Sequence, residues 1–188
     1  MASEVMVRTA PEFDPSLRQV RGIAGLMGRD SLPKTRAIRQ PITHGGDIYN
    51  AFDGMTYAKG AALLRMTESW IGPKAFQSAI RTYMKQHAHG NATAEDLMKA
   101  FQGASGQDVN TTISTFLEQP GVPMFDVEMA CKGTTHTVTM AQTRYTPKGV
   151  TLPKTTPWRV PVCFSLIKSG KRTRHCSVVP CTLARLDQ

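Results

Sequence analysis

Apolar residues recur every three or four positions along the first two thirds of the chain and every second position afterwards. In residues 52–72, FDGMTYAKGAALLRMTESWIG, a turn runs into a helix with Tyr57 at the junction. Ala61, Leu64 and Glu68 share one stripe, and Leu63, Met66, Trp70 and Ile71 widen the apolar side. Gly72 is placed to stop this helix. Gly60, near its start, implies a close backbone approach to a neighbour, since a helix interior disfavours glycine by about 1 kcal/mol. Pro73 opens the next helix, in which Phe76, Ile80, Tyr83, Met84 and His87 keep a 3.6 period, and Gly90-Asn91 is expected to take the left-handed closing position. Thr93 and Asp96 form a capping box before Leu97, Ala100 and Phe101. Residues 103–107, GASGQ, are expected to be a flexible connection; Asp108 then caps a short helix carrying Val109, Thr112, Ile113 and Phe116.

Upstream, residues 2–11 look helical without a strong cap. Asp14 and Pro15 read as N-cap and N1 of a helix that sets Leu17, Val20, Ala24 and Met27 on one face and ends by Gly28. Residues 29–50, broken by Pro33, Pro41 and Gly45-Gly46, predict an irregular segment. Downstream, Gln119-Pro-Gly-Val-Pro123 excludes regular structure. After it Phe125, Val127, Met129 and Cys131 alternate with Asp126, Glu128 and Ala130, and His136, Val138 and Met140 alternate back, which predicts a hairpin. Residues 158–167 are expected to form a further strand, with Pro161 suited to an edge or a bulge, and Val178 to Leu183 a last one. The change of period predicts an α+β chain with a helical domain over 1–120 and a strand-rich domain over 121–188.

Composition changes this picture little. Forty per cent apolar and 20% charged residues describe an ordinary globular chain of 188 residues. No run of eighteen apolar residues exists, so no membrane segment is expected. Glu4 and the lack of an early apolar run exclude a secretory signal, which points to the cytoplasm if Met1 is the true start and otherwise leaves the compartment open. Net charge is +9, spread thinly over residues 7–39 with a denser knot at Lys168–His175, read as a hairpin tip or solvated tail. With no aromatic residues in that knot and no helix-turn-helix pattern, no nucleic-acid partner is expected. Cys131, Cys163, Cys176 and Cys181 lack metal-ligand spacing and read as free thiols, with a disulfide as the alternative in an oxidising compartment. His44 reads as a loop histidine, and His87 and His89, two apart, do not share a helix face. Glu95 and Asp96 suit the positive end of a helix better than paired acid–base catalysis.

Several short motifs stand in a telling order: Asp30-Ser31-Leu32, Arg39-Gln40-Pro41-Ile42, Phe52-Asp53, Tyr57-Ala58-Lys59-Gly60-Ala61, Leu64-Arg65-Met66, Tyr83, His89-Gly90-Asn91-Ala92-Thr93 with Asp96-Leu97, and Gln119–Pro123. Together they resemble the M1 family of zinc aminopeptidases over about residues 1–167. The resemblance implies the mainly helical C-terminal part of a thermolysin-like catalytic domain followed by a partial antiparallel β-sandwich. Two departures stand out. None of His44, His87, His89, His136 and His175 begins a His-Glu-x-x-His motif, and Gly-x-Met-Glu-Asn is missing. Residues 1–15 resemble the stretch just beyond the family's zinc-ligand glutamate, so the chain looks like a fragment beginning after the metal site, with Met1 an internal methionine of a longer relative. Phe116 stands where the family usually has tryptophan.

The resemblance implies a metallopeptidase that removes N-terminal residues from peptides. Zinc polarises the scissile carbonyl and activates water, and a glutamate acts as general base. It carries one catalytic residue onto this chain, Tyr57, as hydrogen-bond donor to the tetrahedral oxyanion. Tyrosine suits that task because a phenol ordinarily keeps its proton at neutral pH and reaches far from the backbone. The chain itself is expected to bind no zinc and to be inactive alone. The alternative is a non-catalytic interaction scaffold built on the same fold. Expected partners are a peptide substrate in the full-length enzyme, and the missing N-terminal half or a second copy covering the cut face.

Overall fold

The computed structural model describes Thr9 and residues 15–132, 135–153, 155–168, 171–179 and 183–187. The expected helix over 2–11 and the Asp14 cap lie outside these residues, Thr9 apart. Among them, six helices precede five strands: α1 (Pro15–Asp30), α2 (Gly45–Ala51), α3 (Gly54–Ile71), α4 (Pro73–Gln86), α5 (Ala94–Ser105) and α6 (Val109–Leu117), then β1 (Pro123–Lys132), β2 (Thr135–Arg144), β3 (Val160–Lys168), β4 (Lys171–Val179) and β5 (Leu183–Asp187). β1, β2 and β5 form one antiparallel sheet in that order; β3 and β4 form a second, two-stranded one.

The helix ends obey local chemistry. Thr93 Oγ1 accepts from Asp96 N at 3.2 Å while Asp96 Oδ2 accepts from Thr93 N at 2.9 Å, so the capping box is closed. Asp108 accepts from Thr111 N at 3.2 Å, and Gly72 ends α3 with φ 87°. Other ends differ from expectation. The expected linker 103–107 is largely helix, because α5 runs on to Ser105 and closes on left-handed Gly106 at φ 68°. After α4 the positive φ falls on His89 (60°), not on Gly90 or Asn91. Gly45-Gly46 does not break the chain but opens α2. There Asp47 Oδ2 accepts from Thr43 N, Thr43 Oγ1 and His44 N, drawing the start of the helix together. A methyl group at Gly60 would meet open space, so no close approach explains that glycine.

One apolar core joins the helices to the strand region. Ile38, Leu63, Trp70, Ala79, Met98, Phe101, Val109, Ile113 and Phe116 pack with Trp158, and Cys176 and Val178 of β4 lie against them. The rings of Phe76 and Phe101 stack with centroids 4.9 Å apart. Which faces are buried departs from the pattern read in the sequence. In α1, Leu26 and Asp30 are buried while Val20, Ala24 and Met27 are exposed, and the helix continues past Gly28. In α3 the buried stripe is Lys59, Leu63, Thr67 and Trp70, and Leu64 is on the outside. A second small core, Val138, Met140 and Val179 with Phe125, Val162 and Phe164, lies between the two sheets. The basic knot brackets the β3–β4 connection, with Lys168 opposite Lys171, and runs on along β4 to His175. Cys163 and Cys176, directly opposed across β3 and β4, are joined by a disulfide, where free thiols were expected. Their placement on paired strands brings the sulfurs together, a proximity that sequence spacing cannot reveal.

Between the two regions, residues 119–123 are bound tightly. Lys59 Nζ lies 2.9 Å from Asp30 Oδ2, with the two residues 5% and 2% exposed. Lys59 Nζ also donates to Gln119 O at 3.2 Å, and Asp30 Oδ1 accepts from Gly121 N at 3.0 Å and Thr35 Oγ1 at 2.9 Å. Gly121 takes φ 106°, and a Cβ there would come within 2.7 Å of Arg144 Nε. Further on, the buried Gln142 amide donates to Trp158 O at 2.9 Å and accepts from Trp158 N at 2.7 Å, completing both backbone bonds of that residue.

Replacing Asp30 with Asn should leave Lys59 buried without a counter-charge and cost about 3–5 kcal/mol. The double replacement Asp30→Leu with Lys59→Met should recover part of that loss. Urea unfolding of the three proteins measures both; equal loss in single and double variants would refute the pairing.

Candidate functional site

Tyr57 lies in the first turn of α3, where its amide donates to Asp53 O at 3.2 Å as the first intrahelical bond. Its position therefore depends on how the helix starts. Asp53 is the N-cap and accepts from Thr56 N at 2.8 Å through Oδ1. The other carboxylate oxygen faces Arg36 NH2 at 3.0 Å. That same guanidinium nitrogen donates to Asn50 O at 2.8 Å and Thr56 Oγ1 at 3.2 Å, while NH1 donates to Ala37 O. One arginine thus ties the end of α2 to the beginning of α3 across a corner of only a few residues. The Thr56 amide, assisted by its hydroxyl and by the nearby Arg36 charge, holds the Asp53 carboxyl below its ordinary pKa against the opposing effect of burial.

The Tyr57 ring itself stands out from this scaffold. It is 65% exposed, with Phe52 67% exposed and its ring centroid 6.4 Å away at a 49° tilt. Among the described residues the phenol has no hydrogen-bond partner, so its O–H is free to donate outward. Tyr49 and Ile48 of α2 are exposed as well. Two larger concavities lie elsewhere. A polar groove of about 530 Å³ between α4 and α5 is lined by Thr82, His87, Asp96 and Lys99, but the Asp96 carboxylate is committed to the Thr93 cap. Backbone and hydroxyl bonds from Thr93 hold its pKa low. An apolar cleft of about 410 Å³ lined by Leu26, Met66, Phe116, Val122 and Phe125 carries the Asp30–Lys59 pair in its wall. Tyr57 lines neither.

The histidines do not converge. His44 is exposed beside Asp47, 3.4 Å away; His87 lies against the Tyr83 ring; His89 is in the turn after α4; His175 is exposed on β4. The side chain of His136 lies outside the described residues. No group of three or more His, Cys, Asp or Glu among the described residues could hold a metal ion, so these residues do not fit a zinc site. No described helix is long and apolar enough to cross a membrane. Residues that position Tyr57, namely Arg36, Asp53 and Thr56, escape a search for catalytic types. Only the Asp-x-x-Thr capping spacing marks two of them in the sequence.

Residues 2–116 match the family model described as "Peptidase family M1 domain". The chain is 32% identical over 157 residues to a puromycin-sensitive aminopeptidase of Caenorhabditis elegans, covering 83% of this chain and 17% of that protein. It is 33% identical over 109 residues to aminopeptidase N of Lactococcus lactis subsp. lactis, covering 57% of this chain and 13% of that protein. The fold matches the crystal structure of Legionella pneumophila aminopeptidase A in complex with aspartic acid with a TM-score of 0.60 at 20% identity, over 85% of this chain and 18% of that one. The chain thus spans about a sixth of the length of these relatives.

Removing the N-cap with Asp53→Ala should cost about 1 kcal/mol. A carboxyl whose folded pKa is depressed stabilises the fold above its ordinary value near 3.8 and loses that contribution as pH falls through the depressed value. Asp53→Asn, which can still cap, should therefore flatten the acid limb of stability, because it forgoes at neutral pH the part that the charged carboxyl contributes. Thermal melts from neutral pH down through the ordinary carboxylate range check this; an unchanged acid limb would refute it.

Proposed function

Because the chain belongs to peptidase family M1, we propose that it is the portion of a zinc-dependent aminopeptidase that carries the oxyanion-stabilising tyrosine, Tyr57. The observation that carries this reading is the pairing of a rigid backbone with a free phenol. The helix start is fixed by Asp53, Thr56 and Arg36, yet the ring is exposed and its O–H makes no internal bond among the described residues. A donor held in this way needs little reorganisation when negative charge develops on a substrate oxygen, which is the condition for electrostatic catalysis. Tyr57 O–H would donate to the former carbonyl oxygen while its proton stays on the phenol. The described residues do not fit zinc, so no step is assigned to a metal here. In the full-length enzyme, metal and general base would come from sequence outside this chain, and the substrate would be a peptide with a free N-terminus.

A second reading, a non-catalytic scaffold, draws on the exposed aromatic surface of Tyr49, Phe52 and Tyr57. The phenol oxygen separates the two, because a scaffold uses the ring and an oxyanion site uses the O–H.

In a full-length enzyme carrying this segment, Tyr57→Phe should lower the turnover of an aminoacyl anilide by at least about tenfold with an unchanged melting temperature. A rate equal to that of the unaltered enzyme would sink the assignment. The purified 188-residue chain should show no chelator-sensitive release of N-terminal residues; measurable turnover abolished by chelation would overturn the expectation that it is inactive alone.

A further inference from the structure

The net charge is shared unequally between the two parts of the chain. Residues 1–120 hold 13 Lys and Arg against 11 Asp and Glu, whereas residues 121–188 hold 10 against three acids, Asp126, Glu128 and Asp187. Most of the surplus, +7 of the +9, therefore belongs to the strand region. Its densest run is on β4, where Lys171, Arg172, Arg174 and His175 are all exposed. Ion pairs among the described residues use Arg36, Arg39, His44, Lys59, Lys99 and Arg159, and no cation of β4. Arg172 and Arg174 instead donate to the hydroxyls of Ser165 and Ser69, at 3.0 and 3.1 Å. These bonds orient the guanidinium groups and leave their charge uncompensated.

Among the described residues β4 pairs with β3 on one side only, so its other edge is open. Alternation puts Arg172 and Arg174 on the face of Cys176, toward the helices, and Lys171 and His175 on the opposite face. An incoming strand would find cations on both faces. From this charge complementarity we infer that the free edge of β4 is a docking site for an extended acidic polypeptide segment, added as a strand with carboxylates beside both faces. Among the described residues no exposed Phe, Tyr or Trp lies on β4, which offers bases only the His175 ring to stack on, so a single-stranded nucleic acid fits the edge less well. The inference is independent of Tyr57.

The test is fluorescence anisotropy of a labelled octapeptide, Glu-Thr-Glu-Glu-Thr-Glu-Glu-Thr, titrated with the 188-residue chain. Binding should weaken severalfold between about 0.05 and about 0.2 M salt. The same peptide N-methylated at alternate residues keeps its charges but loses strand pairing, and should bind at least about tenfold more weakly. The variant Arg172→Glu with Arg174→Glu should lose at least about tenfold in affinity. Should that variant not fold, the two peptides on the unaltered chain still decide the matter. Equal binding of plain and N-methylated peptide would reduce the edge to unspecific attraction and overturn the proposal. So would tighter binding of an oligodeoxynucleotide of matched charge, which would assign the surface to nucleic acid.

Discussion

The buried pair of Asp30 and Lys59 is the constraint through which the two halves of this chain are joined. Moving both charges out of water is expensive, and their attraction repays it only when the remaining hydrogen-bonding capacity is used. Here it is used on the linker: Lys59 reaches the Gln119 carbonyl, and Asp30 takes the Gly121 amide and the Thr35 hydroxyl. From Gln119 the connection continues, because its side chain bonds both the carbonyl and the hydroxyl of Thr156, two residues before the buried Trp158. Hydrophobic burial supplies the bulk of the stability. The ion pair and its bonds to Gln119 and Gly121 tie α1 and α3 to the start of the strand region.

Tyr57 benefits from this arrangement at one remove. It stands two residues before Lys59 on the same helix, so the buried lysine fixes how α3 is seated while Asp53 and Arg36 fix where it begins. The ring is then presented from a helix held at several points along its length.

Much of this was legible in the sequence. Periodicity gives the long helices α3, α4 and α5 and the β1–β2 hairpin, because repeated apolar spacing and capping pairs such as Thr93 and Asp96 are local signals. The ordered motifs point to the family. Burial was harder to read. Val20 and Met27 look like core residues but face outward, while Asp30, Lys59 and Thr67 look like surface residues but are buried. A polar residue is buried when a distant partner accepts it, and Asp30 meets Gly121 across 91 positions. The disulfide between Cys163 and Cys176 and the Arg36 bond to Asn50 escape notice for the same reason: both are fixed by register and packing.

The Gln119–Pro123 connector is rich in the residues that give other proteins a swivel. Gly121 here has its amide held by Asp30 and the space beside its α-carbon filled by Arg144, at a φ that L side chains rarely adopt. The connector therefore behaves as a weld. A different β module grafted after Pro123 would inherit a fixed angle to the helices, provided it brought a basic side chain to the place of Arg144. A graft made upstream of Gly121 would cut the weld and let the new module turn freely.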